Sequence, residues 1–258
     1  MQLKFHKYQG TGNDFILVDN RQLIFPKNDT KLIALLCNRR FGVGADGLIL
    51  LENDKMSDFK MVYFNSDGNE SSMCGNGGRC IVAFAKELGL VENDATFNAV
   101  DGLHTASIQN NNVTLQMVDV TEVKSKPKSL FLNTGSPHHV QLVNDLQTLD
   151  VKTEGAKLRY GLYGKAGSNI NFVQPINADT FEVRTYERGV EGETLSCGTG
   201  VTAVAIAMHH AQKTASDSIT IKTLGGELKV SFQRNGKGYG QIKLSGPATL
   251  VYKGEISC

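Results

Sequence analysis

The chain has 258 residues, which is enough for one large domain or for two smaller ones. Hydrophobic residues make up 40% and charged residues 21%, fractions that are typical of a globular protein and exclude disordered, collagen-like and disulfide-scaffold classes. Lysine and arginine total 27 against 26 aspartates and glutamates. The resulting charge of +1 gives no electrostatic reason to expect nucleic acid as a partner.

No apolar run reaches the ~18 residues that a membrane span needs, so no membrane partner is expected. Residues 1–7 lack the apolar stretch of a secretion signal, and we therefore expect a cytoplasmic protein. The cysteines form no CxxC pair, which argues against a metal site or a dithiol of the thioredoxin type. They are Cys37, Cys74, Cys80, Cys197 and Cys258. Reduced thiols are the expectation for this pattern.

Signals in the first half predict two helices and three strands. The amphipathic segment 30–38 follows an aspartate that is a good N-cap, and it is predicted as a helix. Residues 59–64 are predicted as a strand, and the apolar run 80–85 as a helix buried inside its domain. Strands at 105–109 and 113–118 follow, with an asparagine turn between them.

The second half repeats this order after a polar segment. Residues 121–129 carry three lysines around a proline and are predicted as the linker. A strand at 181–186 precedes a long apolar run at 201–208, whose length and small residues favour a buried helix. Strands at 227–232 and 241–244 follow, separated by glycine and asparagine turns.

An internal repeat links the two halves. Residues 70–77 match residues 193–200 without gaps, so that a glutamate, a hydroxyl residue, a cysteine and two glycines recur in register. The same spacing relates Gly102 to Gly225. Because the spacing is close to half the chain length, the repeat predicts two copies of one domain.

The expected fold class is therefore α+β, with two pseudo-symmetric domains. Each domain is predicted to be a curved, mostly antiparallel sheet or barrel wrapped around a central hydrophobic helix. The active site is expected in the cleft between the domains. The predicted domains are residues 1–119 and residues 120–248.

The repeated cysteines, Cys74 and Cys197, each precede Gly-x-Gly at the start of a predicted helix. The glycines allow a tight turn and close approach of a ligand. A helix N-terminus offers unpaired N–H groups and a positive dipole end, which bind a carboxylate and lower the pKa of a nearby thiol. Inverting a carbon stereocentre requires a base on one face and an acid on the other. We therefore expect one thiolate to remove the α-hydrogen of an amino acid while the other thiol returns one.

A series of short motifs covers the chain from residue 10 to about residue 250. They are GTGNDF at 10–15, RRFGVGADG at 39–47, FNSDG at 64–68, CGNGGRC at 74–80, GSPH at 135–138, NINF at 169–172, YERG at 186–189, CGTG at 197–200 and SGPA at 245–248. In this order they resemble the diaminopimelate epimerase family. Its members interconvert LL- and meso-2,6-diaminopimelate without pyridoxal phosphate, in the biosynthesis of lysine and peptidoglycan precursors.

The resemblance implies an acid/base pair of Cys74 and Cys197, no cofactor and no metal. It implies a substrate-binding set of Asn13, Asn65, Gly75, Asn76, Asn169, Glu187, Arg188, Gly198 and Thr199. It also implies orienting roles for His138 and Glu187, a homodimer, and a last strand, about 249–258, that returns to the first domain. Two positions depart from the commonest family pattern, since Gly47 stands where many members have glutamine and Ser136 where many have asparagine.

Other interpretations stay open at this point. A racemase of the proline or hydroxyproline type would use a similar pair of thiols. A thiol–disulfide redox protein, or a protein that binds an amino acid without reacting, would also place two cysteines at such helix ends. For single residues, Cys37 and Cys80 are predicted core residues, His138 is either a site residue or a solvated loop histidine, and Glu193 is expected to order the loop before its helix.

Overall fold

The computed structural model describes residues 2–71 and 73–258. Met1 and Ser72 lie outside the described residues, and the repeated motif loses one position for that reason. The chain divides into two compact units. Unit 1 comprises Met1–Leu115 with Gly246–Cys258, and unit 2 comprises Gln116–Ser245. No helix in the described part of the chain is long and apolar enough to cross a membrane.

The elements in chain order are β1 Gln2–Gly10, β2 Asn13–Asp19, α1 Thr30–Cys37, β3 Gly47–Glu52, β4 Phe59–Asn65, α2 Gly75–Glu87, β5 Asp94–Ala99, β6 Gly102–Gln109, β7 Asn112–Gln116, β8 Lys124–Lys126, β9 Ser129–Asn133, β10 Pro137–Leu142, α3 Val151–Tyr163, β11 Asn169–Asn177, β12 Thr180–Glu187, β13 Gly192–Thr194, α4 Gly198–His210, β14 Ser218–Thr223, β15 Gly226–Asn235, β16 Gly238–Pro247 and β17 Thr249–Ser257.

Unit 1 is a mixed sheet with a helix against each face. β1 pairs antiparallel with β17 and β2, β2 runs parallel to β3, and β3 pairs antiparallel with β4. β4 runs parallel to β5, which continues into the antiparallel strands β6 and β7. α1 covers one face through Ile33, Leu36 and Cys37. α2 lies against β1, β2, β3, β4 and β6, and is buried along nearly its whole length.

Unit 2 repeats the scheme. β8, β9 and β10 pair antiparallel, β10 runs parallel to β11, and β11 pairs antiparallel with β12. β12 pairs antiparallel with β13 and parallel with β14, and β14, β15 and β16 follow as antiparallel strands. α4 contacts six of these strands and is buried from Val201 to Met208. The predicted α+β class with two pseudo-symmetric, mostly antiparallel halves is therefore confirmed.

Local chemistry explains where the helices begin. Asp29 caps α1 as predicted, because its carboxylate accepts a hydrogen bond from the Leu32 amide at 3.0 Å. Asp150 caps α3 in the same way through the Thr153 amide at 3.1 Å. α3 was not among the predicted helices. It packs on β11, β12 and β13, with Gly155 seated against the ring of Tyr186.

Two details of the predicted organisation are wrong. The segment 121–129 is not a bare linker, because β8 folds back on β9 with Lys126 opposite Ser129. The structural counterpart of Gly102 is Gly226 rather than Gly225. Both glycines have positive φ, 117° and 139°, and both close the hairpin that follows the buried helix. Unit 2 has one extra residue between that helix and its hairpin, so the sequence offset shifts by one there.

Candidate active site

Cys74 and Cys197 occupy the same structural position in the two units. Each is the N-cap residue of its buried helix and has an extended backbone, with φ of −105° and −120°. The main chain of each cysteine closes the first turn, since its carbonyl accepts from Gly78 N at 2.7 Å or from Val201 N at 2.8 Å. Both thiols are therefore carried by the residue at a helix N-terminus, where unpaired backbone N–H groups favour negative charge.

In unit 1 the sheet presents a row of residues to this helix end. Phe15, Gly47 and Asn65 lie opposite one another across β2, β3 and β4. Side chains in register share a face of the sheet, and residues two apart along a strand do so as well. A Cβ placed on Gly77 of α2 would touch Ile49, Met61 and Phe15, so this face packs against α2. Asn13, two residues before Phe15, shares that face.

The Cys74 cluster consists of Asn13, Asp46, Cys74, Asn76 and Arg79. Asn13 Oδ1 lies 3.6 Å from Cys74 Sγ, which donates to it, and 3.2 Å from Asn76 Nδ2. Asn13 Nδ2 donates to the Asp46 carboxylate at 2.6 Å. Asn76 Oδ1 accepts from Arg79 at 3.0 Å. The two asparagine amides are thus oriented by a cation at one end and a carboxylate at the other.

Arg79 was missed by the sequence reasoning. Its side chain is fully buried, and its guanidinium donates to neutral oxygens of Thr11, Gly75, Asn76 and Pro247. Burial lowers the pKa of this guanidinium. A cation inside the first turns of α2 adds to the positive end of the helix dipole, which favours an anion there. An arginine within CGNGGRC, just after the helix begins, was the available signal.

The Cys197 cluster consists of His138, Asn171, Thr185, Cys197 and Thr199. Cys197 Sγ lies 3.5 Å from Thr199 Oγ1, which lies 3.0 Å from His138 Nε2. Behind the ring, Asn171 Nδ2 lies 3.2 Å from His138 Nδ1, and Thr185 donates to Asn171 Oδ1 at 3.0 Å. Asn171 and Thr185 were not predicted as site residues, although Asn171 is part of the NINF motif.

His138 is a buried residue of β10 and not a solvated loop histidine. Burial, together with the positive charge of Arg188, lowers the pKa of His138 to about 3. The ring is therefore neutral at ordinary pH. The neighbouring His139, which carried no sequence signal, is also buried and bonds to Tyr163 at 2.9 Å.

Asn169 begins β11, and Glu187 and Arg188 stand at the end of its neighbour β12. Asn169 Oδ1 accepts from the Arg188 amide at 2.8 Å, and Asn169 Nδ2 donates to Ser136 Oγ at 3.0 Å. The Arg188 guanidinium donates to the Ala166 carbonyl at 3.0 Å and to Ser136 Oγ at 3.4 Å. Glu187 accepts from Thr194 Oγ1 at 2.9 Å. Serine at position 136 thus serves as an acceptor for two of the predicted substrate residues.

The other family departure, Gly47, lies opposite Asn65. A Cβ there would be 2.5 Å from Cε2 of Tyr63 and 2.6 Å from the Phe64 carbonyl oxygen. Tyr63 therefore fills the space in which a larger residue at position 47 would begin. Asn65 itself is exposed at the end of β4.

The cysteines outside the two clusters behave as predicted. Cys37 and Cys80 are buried, and burial raises the pKa of each thiol to about 12. These two thiols are therefore neutral and unreactive at ordinary pH. Glu193 forms an ion pair with Arg184 at 2.6 Å and pairs within β13, which orders the loop before α4. In the described part of the chain, no three His, Cys, Asp or Glu side chains are grouped so as to hold a metal ion.

The chain matches the diaminopimelate epimerase family over residues 5–124 and 130–251. A diaminopimelate epimerase of Flavobacterium psychrophilum is 60% identical over 98% of this chain and 100% of its own length. One of Chlorobaculum tepidum is 40% identical over 96% of this chain and 99% of its own length.

Solved structures share the fold at low sequence identity. A PhzF-family phenazine biosynthesis protein of Bacillus anthracis superposes with a TM-score of 0.81 at 14% identity, with full coverage of both chains. A hydroxyproline epimerase of Agrobacterium vitis gives a TM-score of 0.73 at 16% identity, over 99% of this chain and 92% of its own. At these identities the likeness shows the fold alone. The family match and the two relatives carry the assignment, and the chain belongs to the diaminopimelate epimerase family.

Proposed function

We propose that the protein interconverts LL- and meso-2,6-diaminopimelate by proton transfer at the α carbon, as an isomerase that uses no pyridoxal phosphate. The observation that carries this proposal is the equivalent placement of Cys74 and Cys197 at the N-termini of two buried helices, in a chain of this family. The reaction would serve the biosynthesis of lysine and peptidoglycan precursors.

The chemistry needs two thiols that reach opposite faces of the same carbon. One thiolate removes the α-hydrogen as a proton, the electron pair stays on the substrate, and the other thiol delivers a proton to the opposite face. The carboxylate gains charge as the proton leaves. Backbone and side-chain donors at the two helix starts, Gly75 with Asn76 and Gly198 with Thr199, would stabilise that charge.

The polar ends of the substrate would be held by the other predicted residues. Asn13 and Glu187 would bind the ammonium group next to the reacting carbon. Asn65, Asn169 and Arg188 would bind the distal amino-acid group, for which the fork of Arg188 suits a carboxylate. Glu187 and His138 would also orient the site. The contacts of Asn169 with Ser136 and with the Arg188 backbone support a shared role for these residues.

The decisive experiment measures solvent deuterium entering the α position of LL-diaminopimelate. Wild-type protein without added pyridoxal phosphate is expected to exchange and to form the meso isomer. Cys74→Ala and Cys197→Ala should each lower epimerisation by ~10³-fold or more, because each removes one acid/base group. Cys258→Ser, at an exposed cysteine, is the control and should keep wild-type activity.

The same assay separates the other candidate functions. Exchange with proline or hydroxyproline but not with diaminopimelate would contradict the proposed substrate. Turnover of a disulfide substrate with no exchange into any amino acid would replace the proposal by a redox function. Binding of diaminopimelate without exchange would reduce it to a binding protein.

We also propose a homodimer. β17 exposes three successive apolar side chains, Leu250, Val251 and Tyr252, which supports burial of this strand against a partner. Light scattering coupled to size-exclusion chromatography should give twice the chain mass. A monomer at micromolar concentration would contradict the proposal. A cytoplasmic location and the absence of a nucleic-acid partner stay predictions.

A further inference from the structure

The hydrogen bonds behind Cys197 have a direction that a backbone group fixes. Asn171 Nδ2 donates to the His139 carbonyl at 2.9 Å, and a carbonyl can only accept. Asn171 Oδ1 on the other side accepts from Thr185 at 3.0 Å. The amide of Asn171 is therefore held in one orientation, with its NH₂ group towards His138.

This orientation decides which nitrogen of His138 carries the proton. Nδ1 faces the Asn171 NH₂ group at 3.2 Å and must act as an acceptor. In a neutral imidazole the proton then resides on Nε2. Asn169 Nδ2 also approaches Nε2, at 3.5 Å, but it has nearer acceptors in Ser136 Oγ at 3.0 Å and the Pro137 carbonyl at 3.2 Å.

The protonated Nε2 in turn fixes the hydroxyl of Thr199. At 3.0 Å the Nε2–H group donates to Thr199 Oγ1, so the hydroxyl hydrogen points elsewhere. Cys197 Sγ lies 3.5 Å from that oxygen. A hydroxyl that donates to sulfur stabilises the thiolate more than the thiol.

We propose that Asn171 and Thr185 are positioning residues that lock His138 as the neutral Nε2–H form, so that Thr199 donates to the sulfur of Cys197 and stabilises its thiolate. The catalytic meaning of this inference rests on the proposed function. The chain of donors itself runs Thr185, Asn171, His138, Thr199, Cys197, and its properties can be measured on protein without substrate.

The charged groups around these five residues do not reverse the direction of their hydrogen bonds. On the helix-facing side of β12 the ionisable residue is Glu187, whose carboxylate accepts from Thr194. Arg184 lies on the other face, in its ion pair with Glu193. Arg188 follows β12, and its positive charge disfavours protonation of His138. The first turn of α4 contains no acidic residue.

The first experiment follows alkylation of Cys197 by iodoacetamide as a function of pH, quantified on the Cys197 peptide. All variants carry Cys74→Ser, so that the second proposed thiol does not interfere. Thr199→Val should raise the pH midpoint of alkylation by about one unit, because it removes the donor to sulfur, whereas Thr199→Ser should keep the midpoint of the parent.

Two variants test the positioning residues themselves. Asn171→Leu should raise the pH midpoint of alkylation by less than Thr199→Val does, and Thr185→Val should raise it by less than Asn171→Leu. Thr214→Val is the matched control, since Thr214 is another buried threonine of unit 2 and its hydroxyl donates to Asp179 at 2.8 Å. The control should not move the midpoint. An unchanged midpoint in Thr199→Val, or equal midpoints in Asn171→Leu and the control, would overturn the inference.

The second experiment reads the tautomer directly and needs no destabilising variant. In protein labelled with ¹⁵N-histidine, His138 is assigned from the signals lost in His138→Gln. We expect a proton on Nε2 and an unprotonated Nδ1 at neutral pH. A proton on Nδ1 contradicts the proposed lock even if Asn171→Leu fails to fold.

The two proposals can fail separately. If the midpoints shift in the expected order but diaminopimelate shows no deuterium exchange, the proposed function fails and the donor chain stands. If exchange occurs and Thr199→Val leaves the midpoint in place, the reaction stands and the donor chain is wrong.

Discussion

The two units build the surroundings of equivalent cysteines from different chemistry. Under the first turn of α2 in unit 1, two strand positions hold the apolar residues Phe15 and Ile49, and a Cβ on Gly77 would lie 3.0 Å from Ile49 Cδ1. Under α4 of unit 2 the matching strand positions hold His138 and Asn171, which are bonded to one another. The backbone plan is common, so the difference lies in the side chains alone.

The buried helices differ in the same sense. α2 carries the buried cation of Arg79, whose guanidinium bonds back to the Gly75 carbonyl. At the equivalent position α4 has Thr202, whose hydroxyl bonds to the Gly198 carbonyl at 3.0 Å. Unit 1 thus places a full charge behind its helix end and unit 2 a chain of neutral hydrogen bonds. A duplicated fold can support two acid/base groups without duplicating their electrostatics.

Removing the buried cation is expected to have the largest effect. Arg79→Met should lower the free energy of unfolding by about 3–5 kcal/mol, because carbonyl and amide oxygens that now accept from the guanidinium lose a buried donor. Thr202→Val, at the matching position of α4, should cost about 1 kcal/mol. Urea unfolding monitored by circular dichroism measures both. Equal losses would show that the charge of Arg79 contributes little to unit 1.

The buried histidine predicts a pH dependence for unit 2. The folded-state pKa of His138 is about 3, below the unfolded value of about 6.5, so the unfolded chain binds more protons between these values. Stability contributed by the neutral ring is therefore complete above about pH 6.5 and is lost as the pH falls towards 3, by up to a few kcal/mol.

Stability measured against pH in wild type and His138→Gln tests this prediction. The variant lacks the titrating group, so its curve should fall less steeply than that of wild type between about pH 6 and pH 4. Parallel curves would mean that protonation of His138 is tolerated in the folded protein.

The smallest expected effects on the free energy of unfolding come from substituting Gly77 of α2 and Gly200 of α4. These substitutions compare how much space the sheet leaves beneath each helix. A Cβ on Gly200 would lie 2.6 Å from Asn171 Oδ1, which is held by Thr185, whereas on Gly77 it would meet the flexible end of Ile49. We expect Gly200→Ala to cost about 1–2 kcal/mol and Gly77→Ala less than about 1 kcal/mol. Urea midpoints at constant m value decide between this order and its reverse.

Local signals account for much of the predicted fold. The capping chemistry of Asp29 correctly predicted the start of α1, and the repeated CGxG predicted the starts of α2 and α4. These features depend on residues adjacent in the chain. The one extra residue of unit 2 lies in the loop between α4 and β14. It shifts the sequence repeat by one position at Gly226 and leaves the pairing of β14 with β15 intact.

The interior of the candidate site depends on contacts between distant residues. His138, Asn171 and Thr185 meet because β10, β11 and β12 pair in a particular register, with His138 opposite Asn169 and Asn171 opposite Thr185. A change of one residue in register would turn these side chains to the other face. The sequence contained the residues but not their register, which is why the donor chain was not predicted.

The main-chain closure of each first helical turn has a practical consequence. The carbonyls of Cys74 and Cys197 complete that turn, and no bond from either side chain caps the helix. Exchanging sulfur for oxygen should therefore leave the backbone frame in place while abolishing proton transfer. Cys74→Ser and Cys197→Ser are accordingly suitable reagents for crystallising the unreacted substrate, one stereoisomer with each.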